Sequence, residues 1–424
     1  MRNTDTVVIG AGQAGLAASL FLTEHGRDHV VLERARVGGR WRDTWDSLHL
    51  LTPNWLNTLP GRAYRGPDPD GFTPAAAFAA ELADYARSCG APVEEHAGVE
   101  RVSRRGITGG FEVVTARGTW LAANVVVATG WCDRPAVPAT TGTTVCQVAP
   151  RGYRNPGSLP DGGVLIVDAS ATGVQLAEEL RAAGRDVTLA VGGHSRLPRG
   201  YRGRDVYWWL DRLGVLGRTI DEMPDPVRAR REPSAQLIGR PGHPLDLATL
   251  ATGGVRLVGR VRGLDGHRVR LVPDLPATVG AAERRLRRLL ARIDRHVDAA
   301  GLRGEVGEPA PVRAVPLPEP VEELDLRAAG VRSIVWATGF RRAYPWLRVP
   351  ALDAHGEIRH RRGRTPVPGL YVLGQRFQHR RSSNLIGGVG RDAAYVAGHI
   401  AGHTAGHGAG HTRLPDPGAT RAHP

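Results

Sequence analysis

The chain has 424 residues but no lysine, so all 56 of its basic side chains other than histidine are arginines. Without lysine no lysine Schiff base can form, which excludes pyridoxal-phosphate chemistry. Only three cysteines are present, Cys89, Cys132 and Cys146, and they form no Cys-x-x-Cys pair. Their wide separation argues against a redox-active dithiol.

Long apolar runs are also lacking, since none reaches the roughly 18 residues that a membrane helix needs. A strand pattern begins at Thr6 and leaves no room before it for a signal peptide, so we expect a cytoplasmic protein without a membrane partner. The net charge of +14 comes from arginines spread along the chain. The densest run, residues 283–295, has leucines at helical spacing and is typical of an amphipathic helix with a solvated arginine face. We therefore expect no nucleic-acid partner.

Residues 5–33 have the strand–turn–helix–strand pattern of a dinucleotide site. The turn reads Gly10-x-Gly12-x-x-Gly15, and Glu33 ends the second strand. The first glycine permits the tight turn, the second lets the backbone approach a pyrophosphate, and the third lets the helix pack on the strand. The helix N-terminus then offers free N–H groups to the phosphates. A carboxylate at Glu33 would accept ribose hydroxyls and repel a 2′-phosphate, which predicts FAD or NAD rather than NADP.

Further motifs follow in order along the chain. Val37-Gly38-Gly39-Arg40-Trp41 comes just after Glu33, Ala-Thr-Gly turns lie at 128–130 and 337–339, and a strand ending at Gly374 precedes the glycine-rich segment 387–390. Together these motifs resemble the flavin-dependent monooxygenases with two dinucleotide-binding domains. That family includes flavin-containing and Baeyer–Villiger monooxygenases and related bacterial flavoproteins. The resemblance spans roughly residues 5–400.

The resemblance implies that the first turn binds FAD and that a helix N-terminus near residue 390 stabilises the negative charge of the reduced flavin. The FAD-binding residues that it implies are Gly10, Gly12, Gln13, Ala14, Gly15, Glu33, Arg34, Gly39, Arg40, Trp41, Thr129, Gly130, Gly374 and Leu385.

The fold class implied is α/β, with two Rossmann-like dinucleotide-binding domains, the NADPH domain inserted into the FAD domain, and a small β-meander. We expect an FAD-binding domain at 1–150 and 311–400, an NAD(P)H-binding-like domain at 151–310, and a low-complexity tail at 401–424. Short strands near 99–103, 111–115 and 119–121 would form the meander. Histidines recur every four residues from His399 to His411, but the interleaved glycines favour a disordered tail over a metal-binding helix. No metal site is predicted.

A second strand–turn–helix pattern begins near residue 163, but its turn, Asp168-Ala169-Ser170-Ala171-Thr172-Gly173, keeps only the third glycine. A carboxylate at Asp168 would repel a phosphate about 4 Å away, by about 1 kcal/mol in water and about 4 kcal/mol at intermediate dielectric. Alternatively, it points harmlessly into the turn and caps the helix. No acid ends the next strand at Val191, and arginines follow that suit a 2′-phosphate. We predict an NADPH site formed by Ser170, Ala171, Thr172, Gly173, Arg196 and Arg199.

The resemblance also implies the reaction. In the family NADPH reduces FAD, oxygen forms a C4a-hydroperoxyflavin, and this oxygenates an N, S or carbonyl centre of a small-molecule substrate. Asn54 is the candidate to stand near the peroxide, although a turn asparagine after proline explains it equally well.

Two alternatives stay open. One is an NADPH-independent flavoenzyme, an oxidase or a redox-neutral catalyst, with a degenerate second site. Asp168 and Ala149 motivate it, because Ala149 replaces a histidine that the family places before the second domain. The other is an NAD(P)H-dependent flavin reductase that acts on a partner protein or quinone. The sequence predicts no oligomeric state.

Overall fold

The computed structural model describes residues 1–106, 109–138, 140 and 142–405. Its α-helices are α1 Gln13–Glu24, α2 Gly39–Arg42, α3 Ala75–Ser88, α4 Ala171–Ala182, α5 Val206–Arg212, α6 Pro226–Arg231, α7 Leu247–Thr252, α8 Leu275–Ala299 and α9 Val389–Ala405. Its strands are β1 Arg2–Ile9, β2 His29–Leu32, β3 Val93–Glu94, β4 Val99–Arg104, β5 Phe111–Thr115, β6 Gly118–Val127, β7 Arg134–Pro135, β8 Cys146–Val148, β9 Gly163–Val167, β10 Val187–Ala190, β11 Ser195–Arg196, β12 Gly200–Tyr201, β13 Arg204–Asp205, β14 Ala235–Gln236, β15 Arg256–Val258, β16 Val261–Asp265, β17 Arg268–Leu271, β18 Glu323–Asp325, β19 Val331–Trp336, β20 Phe340–Arg341, β21 Leu347–Arg348 and β22 Leu370–Val372. Among these residues no helix is both long and apolar enough to span a bilayer.

The first unit is built on an eight-stranded sheet of order β21-β4-β5-β6-β1-β2-β3, with β22 also paired to β6. Strand β6 has three partners. Along one edge it runs parallel to β1 from Trp120 to Val127; along the other it pairs antiparallel with β5 in its first half, which completes the β4-β5-β6 meander, and parallel with β22 in its second half. The parallel strands are apolar in their carboxyl halves, because α1, α3 and α9 cover one face of the sheet there and the meander with residues 344–372 covers the other. Helices α1 and α9 pack together in one of the two cores beside this sheet.

The second unit is built on a five-stranded parallel sheet of order β15-β10-β9-β19-β8. Strands β8 and β19 belong to this sheet, whereas the predicted boundaries at residues 150 and 311 leave both in the first unit. The amphipathic helix predicted from residues 283–295 begins earlier, at Leu275, and ends at Ala299. Its buried residues recur at helical spacing and are Leu275, Val279, Ala282, Leu286, Leu290, Ile293 and Val297.

The two units are joined at several points. The chain passes between them after each Ala-Thr-Gly turn, and the segments that follow the turns, β7 and β20, pair antiparallel. The loop between α2 and α3 also reaches across, because Trp45 packs in the core of the second unit. Parts of the first unit therefore belong physically to the second. Helix α9 continues to Ala405, so residues 401–405 of the expected disordered tail are helical; residues 406–424, with His407 and His411, lie outside the described part.

Candidate functional site

The first glycine turn connects β1 to α1, and of its three glycines only Gly12 has open space beside its backbone. Gly10 has φ +106°, and a Cβ there would lie 2.7 Å from the carbonyl oxygen of Ala128. A Cβ on Gly15 would lie 1.8 Å from the carbonyl oxygen of Gly10, so both positions require glycine. A Cβ on Gly12 would meet nothing within 4 Å. The fold therefore dictates Gly10 and Gly15, whereas the surface beside Gly12 and the start of α1, where Gln13 and Ala14 lie, stays open.

The carboxylate of Glu33 is fixed beside this turn. Its Oε2 accepts a hydrogen bond from the backbone N–H of Ala11 at 2.8 Å, and its Oε1 accepts one from Ala35 at 3.1 Å. The acid thus ties the end of β2 to the turn and places negative charge there. The neighbouring side chain of Arg34 is exposed and pairs with Asp133 at 3.6 Å.

Helix α2 presents two of the predicted side chains to different neighbours. Trp41 donates from Nε1 to the Gln13 side-chain oxygen at 3.4 Å and packs edge-on against Phe78. Arg40 lies beside the Cys132 thiol and over the Phe340 ring, with its Cζ 5.1 Å from the ring centroid. Burial lowers the pKa of Arg40. Its Nη1 is buried without a hydrogen-bond partner among the described residues.

The C-terminal segment of the first unit meets the same turn. Gly374, at φ +75°, would place a Cβ 2.9 Å from the Ala14 Cβ, so the chain beyond β22 touches the start of α1. Thr129 is exposed and Gly130 has φ +75°, and both follow β6, the neighbour of β1 in the sheet. Leu385 precedes a short 3-10 helix that leads into α9. The glycine turn, Thr129, Gly130 and Gly374 therefore lie at the same carboxyl edge of the first sheet.

Gln375 was not predicted, although it directly follows the Gly374 turn and could have been found from that position. It is 3% exposed, and its Oε1 accepts a hydrogen bond from Arg342 at 2.7 Å. Its Nε2 has no hydrogen-bond partner among the described residues. Buried donors are normally satisfied, so Gln375 Nε2 and Arg40 Nη1, which have no partner among the described residues, suit hydrogen bonds to a bound ligand. Together with the open surface at Gly12, the donors of Gln375 and Arg40 fit the ribityl chain and the pyrophosphate of FAD.

The second turn repeats the backbone of the first despite its different residues. Asp168 takes the place of Gly10 at φ +87°, which is rare for a residue with a side chain. Ser170 has φ −76° and ψ −170°, close to the −83° and −175° of Gly12. A Cβ on Gly173 would lie 1.9 Å from the carbonyl oxygen of Asp168, as at Gly15. The N-terminus of α4, from Ala171 to Gly173, therefore has the geometry of a phosphate-binding turn.

The Asp168 carboxylate points into this turn, as one of the two sequence interpretations proposed. Its Oδ2 accepts the backbone N–H of Ser170 at 3.1 Å, and its Oδ1 lies 2.9 Å from where a Gly192 Cβ would be. The Asp168 carboxylate therefore bonds to the N-cap residue of α4, Ser170, and not to the first turn of the helix. The Ser170 side chain makes no hydrogen bond to that turn either, so α4 has no side-chain cap from its N-cap residue. Burial raises the pKa of Asp168, and hydrogen bonds from Ser170 and Ala169 oppose that rise.

Comparison with known proteins agrees with this geometry. Residues 7–210 match the family described as pyridine nucleotide-disulphide oxidoreductase. The CzcO-like oxidoreductase of Geobacillus kaustophilus is 32% identical over 92% of this chain and 97% of its own length. The chain belongs to the CzcO-like family of bacterial oxidoreductases.

Two further comparisons concern function and fold. Indole-3-pyruvate monooxygenase YUCCA6 of Arabidopsis thaliana is 30% identical over 44% of this chain and 48% of its own. A flavin-containing monooxygenase from Stenotrophomonas maltophilia has the same fold, with a TM-score of 0.66 and 21% identity over 95% of this chain and all of its own. Members of the family use FAD and NADPH, as the two turns predict.

Arg196 and Arg199, predicted to bind the 2′-phosphate of NADPH, are instead used inside the protein. Arg196 is 5% exposed and pairs with Asp246 at 2.5 Å and with Glu283 at 3.2 Å. Arg199 is 3% exposed, pairs with Asp205 at 2.6 Å and donates to the carbonyl oxygen of Leu51 at 2.9 Å. Because neither guanidinium faces outward, the structure argues against this prediction.

Asn54 also differs from its predicted role near the oxygen-reacting centre. Its Oδ1 accepts the backbone N–H and the hydroxyl of Thr73, at 3.0 and 2.7 Å. Its Nδ2 donates to the carbonyl oxygen of Asp68 at 2.9 Å and to the Tyr64 hydroxyl at 3.4 Å. Both ends of the amide are therefore engaged in holding the 64–73 loop, which matches the turn interpretation rather than the catalytic one.

Proposed function

We propose that this chain is an NADPH-dependent flavin monooxygenase that oxygenates a small-molecule substrate with dioxygen. The observation that carries the proposal is the repetition of one phosphate-binding backbone at two places, Gly10–Gly15 and Asp168–Gly173. Each turn lies at the carboxyl edge of a parallel sheet, where dinucleotides bind in such folds. Strands β7 and β20, which lie in the two connections between the units, pair antiparallel and would keep the two edges next to each other.

The residues of the first unit would hold FAD as follows. Glu33 would accept the hydroxyls of the adenosine ribose, the start of α1 and Arg40 would meet the pyrophosphate, and Gln375 would donate to the hydroxyl-bearing chain. When bound, FAD supplies the two-electron chemistry that links NADPH oxidation to oxygen transfer. The loop between α2 and α3, anchored by Trp45 and by the Arg199–Leu51 hydrogen bond, would shield this edge from water.

The cysteines favour oxygen transfer over disulfide reduction. All three are free thiols, and only Cys132 lies near the predicted flavin edge. Burial raises the pKa of Cys132 to about 11, although Arg40 opposes the rise, so the thiol is neutral at physiological pH. A neutral thiol is a poor nucleophile. The monooxygenase names of YUCCA6 and of the Stenotrophomonas protein also support a small-molecule substrate.

The test begins with the purified FAD-containing protein in the absence of oxygen. NADPH should bleach the visible flavin absorbance within minutes, and air should restore it. In air, a panel of small thioethers, tertiary amines and ketones should contain at least one compound that gains an oxygen atom from isotopically labelled dioxygen. Bleaching without any oxygenated product, with NADPH consumed only when a quinone is added, would replace the monooxygenase by a flavin reductase.

The position of Asp168 in the structure favours a second candidate, a flavoenzyme that does not use NADPH. A half-buried carboxylate inside the second turn adds negative charge where a pyrophosphate would bind. This candidate predicts that NADPH fails to bleach the flavin and that calorimetry detects no NADPH binding. The same anaerobic experiment therefore distinguishes the two functions.

A further inference from the structure

The second unit lacks a charged side chain where the first unit has Glu33. In the first unit Gly10 N bonds to Leu32 O, and in the second Asp168 N bonds to Ala190 O, so the two turns have the same register on their neighbouring strands. Val191 therefore occupies the position of Glu33. Gly192 and Gly193 follow it and carry no side chain. Any group that recognises the ribose substituent of a nucleotide here must come from elsewhere in the fold.

His194 does not fill this role. It is 1% exposed, and its Nδ1 lies 3.0 Å from the carbonyl oxygen of Gly192. Burial lowers its pKa, and the charges of Arg285 and Arg196 lower it further, so the imidazole is neutral at physiological pH. Its backbone carbonyl, however, accepts a hydrogen bond from Arg285 Nη2 at 2.6 Å.

Arg285 is thereby fixed at the loop that follows β10. It belongs to α8, whose adjacent Leu286 is buried and whose Glu283 pairs with Arg196 at 3.2 Å. The helix is thus held on one side of Arg285 by the Glu283–Arg196 ion pair and on the other by Leu286, which packs in a core with Tyr201 and Trp209. The Arg285 side chain is itself exposed, unlike those of Arg196 and Arg199. A guanidinium has five N–H donors, and one bond to His194 leaves others for an anion.

We propose that Arg285 binds the 2′-phosphate of NADPH in the second site and determines its preference for NADPH over NADH. The inference rests on the proposed function, since it assumes that the Asp168–Gly173 turn binds this dinucleotide. The Asp168 carboxylate, which approaches Gly192 closely, makes a cation from another element more necessary. Arg260, two residues beyond the neighbouring strand β15, is less suited because it pairs with Asp274 at 3.1 Å.

The experiment titrates 2′,5′-ADP and 5′-ADP into the oxidised, FAD-containing protein by calorimetry, so that no turnover is needed. Arg285→Gln is compared with Arg287→Gln, which removes an exposed arginine from the same helix about 200° around its axis. Arg285→Gln should weaken 2′,5′-ADP binding by about tenfold or more and leave 5′-ADP binding unchanged. Arg287→Gln should leave both unchanged, and Arg285→Lys should recover part of the loss, because lysine keeps the charge without the forked donors.

Three outcomes would overturn the inference. Equal 2′,5′-ADP affinity in the wild type and Arg285→Gln would leave NADPH use intact but remove Arg285 from it. An equal loss of both nucleotides in Arg285→Gln would indicate a structural role. Binding of 5′-ADP but not 2′,5′-ADP by the wild type would contradict both the inference and NADPH use. By contrast, selectivity that depends on Arg285 in a protein whose flavin NADPH fails to reduce would uphold the inference and refute the proposed function.

Discussion

Replacing Asp168 by glycine should tighten NADPH binding. The aspartate holds a left-handed backbone angle that glycine adopts without strain, and its carboxylate lies inside a turn built to meet phosphates. Asp168→Gly would restore at this position the residue that the first turn has at Gly10. Because Gly173 and the start of α4 already have the required backbone, the substitution needs no rearrangement.

The size of the effect follows from the charge that is removed. Two like charges about 4 Å apart repel by about 1 kcal/mol in water and about 4 kcal/mol at the effective dielectric near a protein surface. Asp168 is half-buried, and the hydrogen bonds from Ser170 and Ala169 partly compensate its charge. We therefore expect a gain of about 1–2 kcal/mol, or about 5- to 30-fold in affinity.

Stability should change little, because the two effects of the substitution on folding oppose each other. Relief of the left-handed conformation contributes about 1 kcal/mol, and loss of the bond to the Ser170 N–H costs about the same.

The measurement is calorimetric titration of NADP⁺ into the oxidised protein, with Asp168→Asn as the matched variant. Asparagine also tolerates positive φ but carries no charge. If charge is the cause, both variants should bind more tightly; if the side chain merely blocks the ligand, only glycine should. Unchanged affinity in both variants would refute the repulsion argument.

Three further predictions concern the first turn, Asn54 and pH. Since a Cβ on Gly12 meets nothing within 4 Å, the apoprotein of Gly12→Ala should fold with an unchanged unfolding temperature, but the purified variant should retain little FAD. Gly15→Ala would place its Cβ 1.8 Å from a carbonyl oxygen, so circular dichroism should show that this variant does not fold. Asn54→Ala removes four hydrogen bonds from a buried site and should lower the unfolding free energy by about 2–4 kcal/mol, while flavin reduction by NADPH stays unchanged. If the variant instead kept wild-type stability but oxidised NADPH without oxygenating a substrate, Asn54 would have the catalytic role that the sequence suggested. Burial, with the charges of Arg230 and Arg342, lowers the pKa of His360 to about 4 from an ordinary 6.5. As pH drops from 6.5 to 4 the unfolded chain therefore takes up a proton that the folded chain does not, and the unfolding free energy should fall by up to about 3 kcal/mol. Urea unfolding at a series of pH values would contradict this if the unfolding free energy of His360→Gln fell as steeply with pH as that of the wild type.

The first turn was predictable because its requirements are local. Gly10, Gly12 and Gly15 lie within six residues, and the strand and helix around them have clear periodicity. The second turn could be located in the same way, since its backbone follows from a strand, a helix and one glycine. That Asp168 would adopt the left-handed angle, rather than abolish the turn, depends on packing that the sequence does not display.

The arginines of the second unit show where sequence reasoning fails. Arg196 and Arg199 have the expected spacing after a strand that ends without an acid, but their partners lie far away in the chain. Arg196 pairs with Asp246 and Glu283, which are 50 and 87 residues distant. In a chain whose only abundant cation is arginine, that side chain has to form the internal ion pairs and would also have to bind any anionic ligand. Exposure, which requires the folded structure, distinguishes the two uses.

Sheet membership was similarly beyond the sequence. The apolar run before the second Ala-Thr-Gly turn predicts a strand, yet nothing local decides which sheet it joins. In the fold β19 lies between β9 and β8, so the second unit extends on both sides of its predicted limits. Pairing between segments nearly 170 residues apart depends on the whole topology and not on the strand itself.

The position of Trp45 has a consequence for the modularity of this architecture. A tryptophan contributed by one nucleotide-binding unit fills the interior of the other, and Arg199 returns the contact by binding the backbone at Leu51. The second unit is therefore not expected to fold when it is expressed alone, because without Trp45 its core would contain a cavity the size of an indole ring. The two units should melt as one cooperative block, and nucleotide specificity is more readily exchanged among relatives by substitution than by domain grafting.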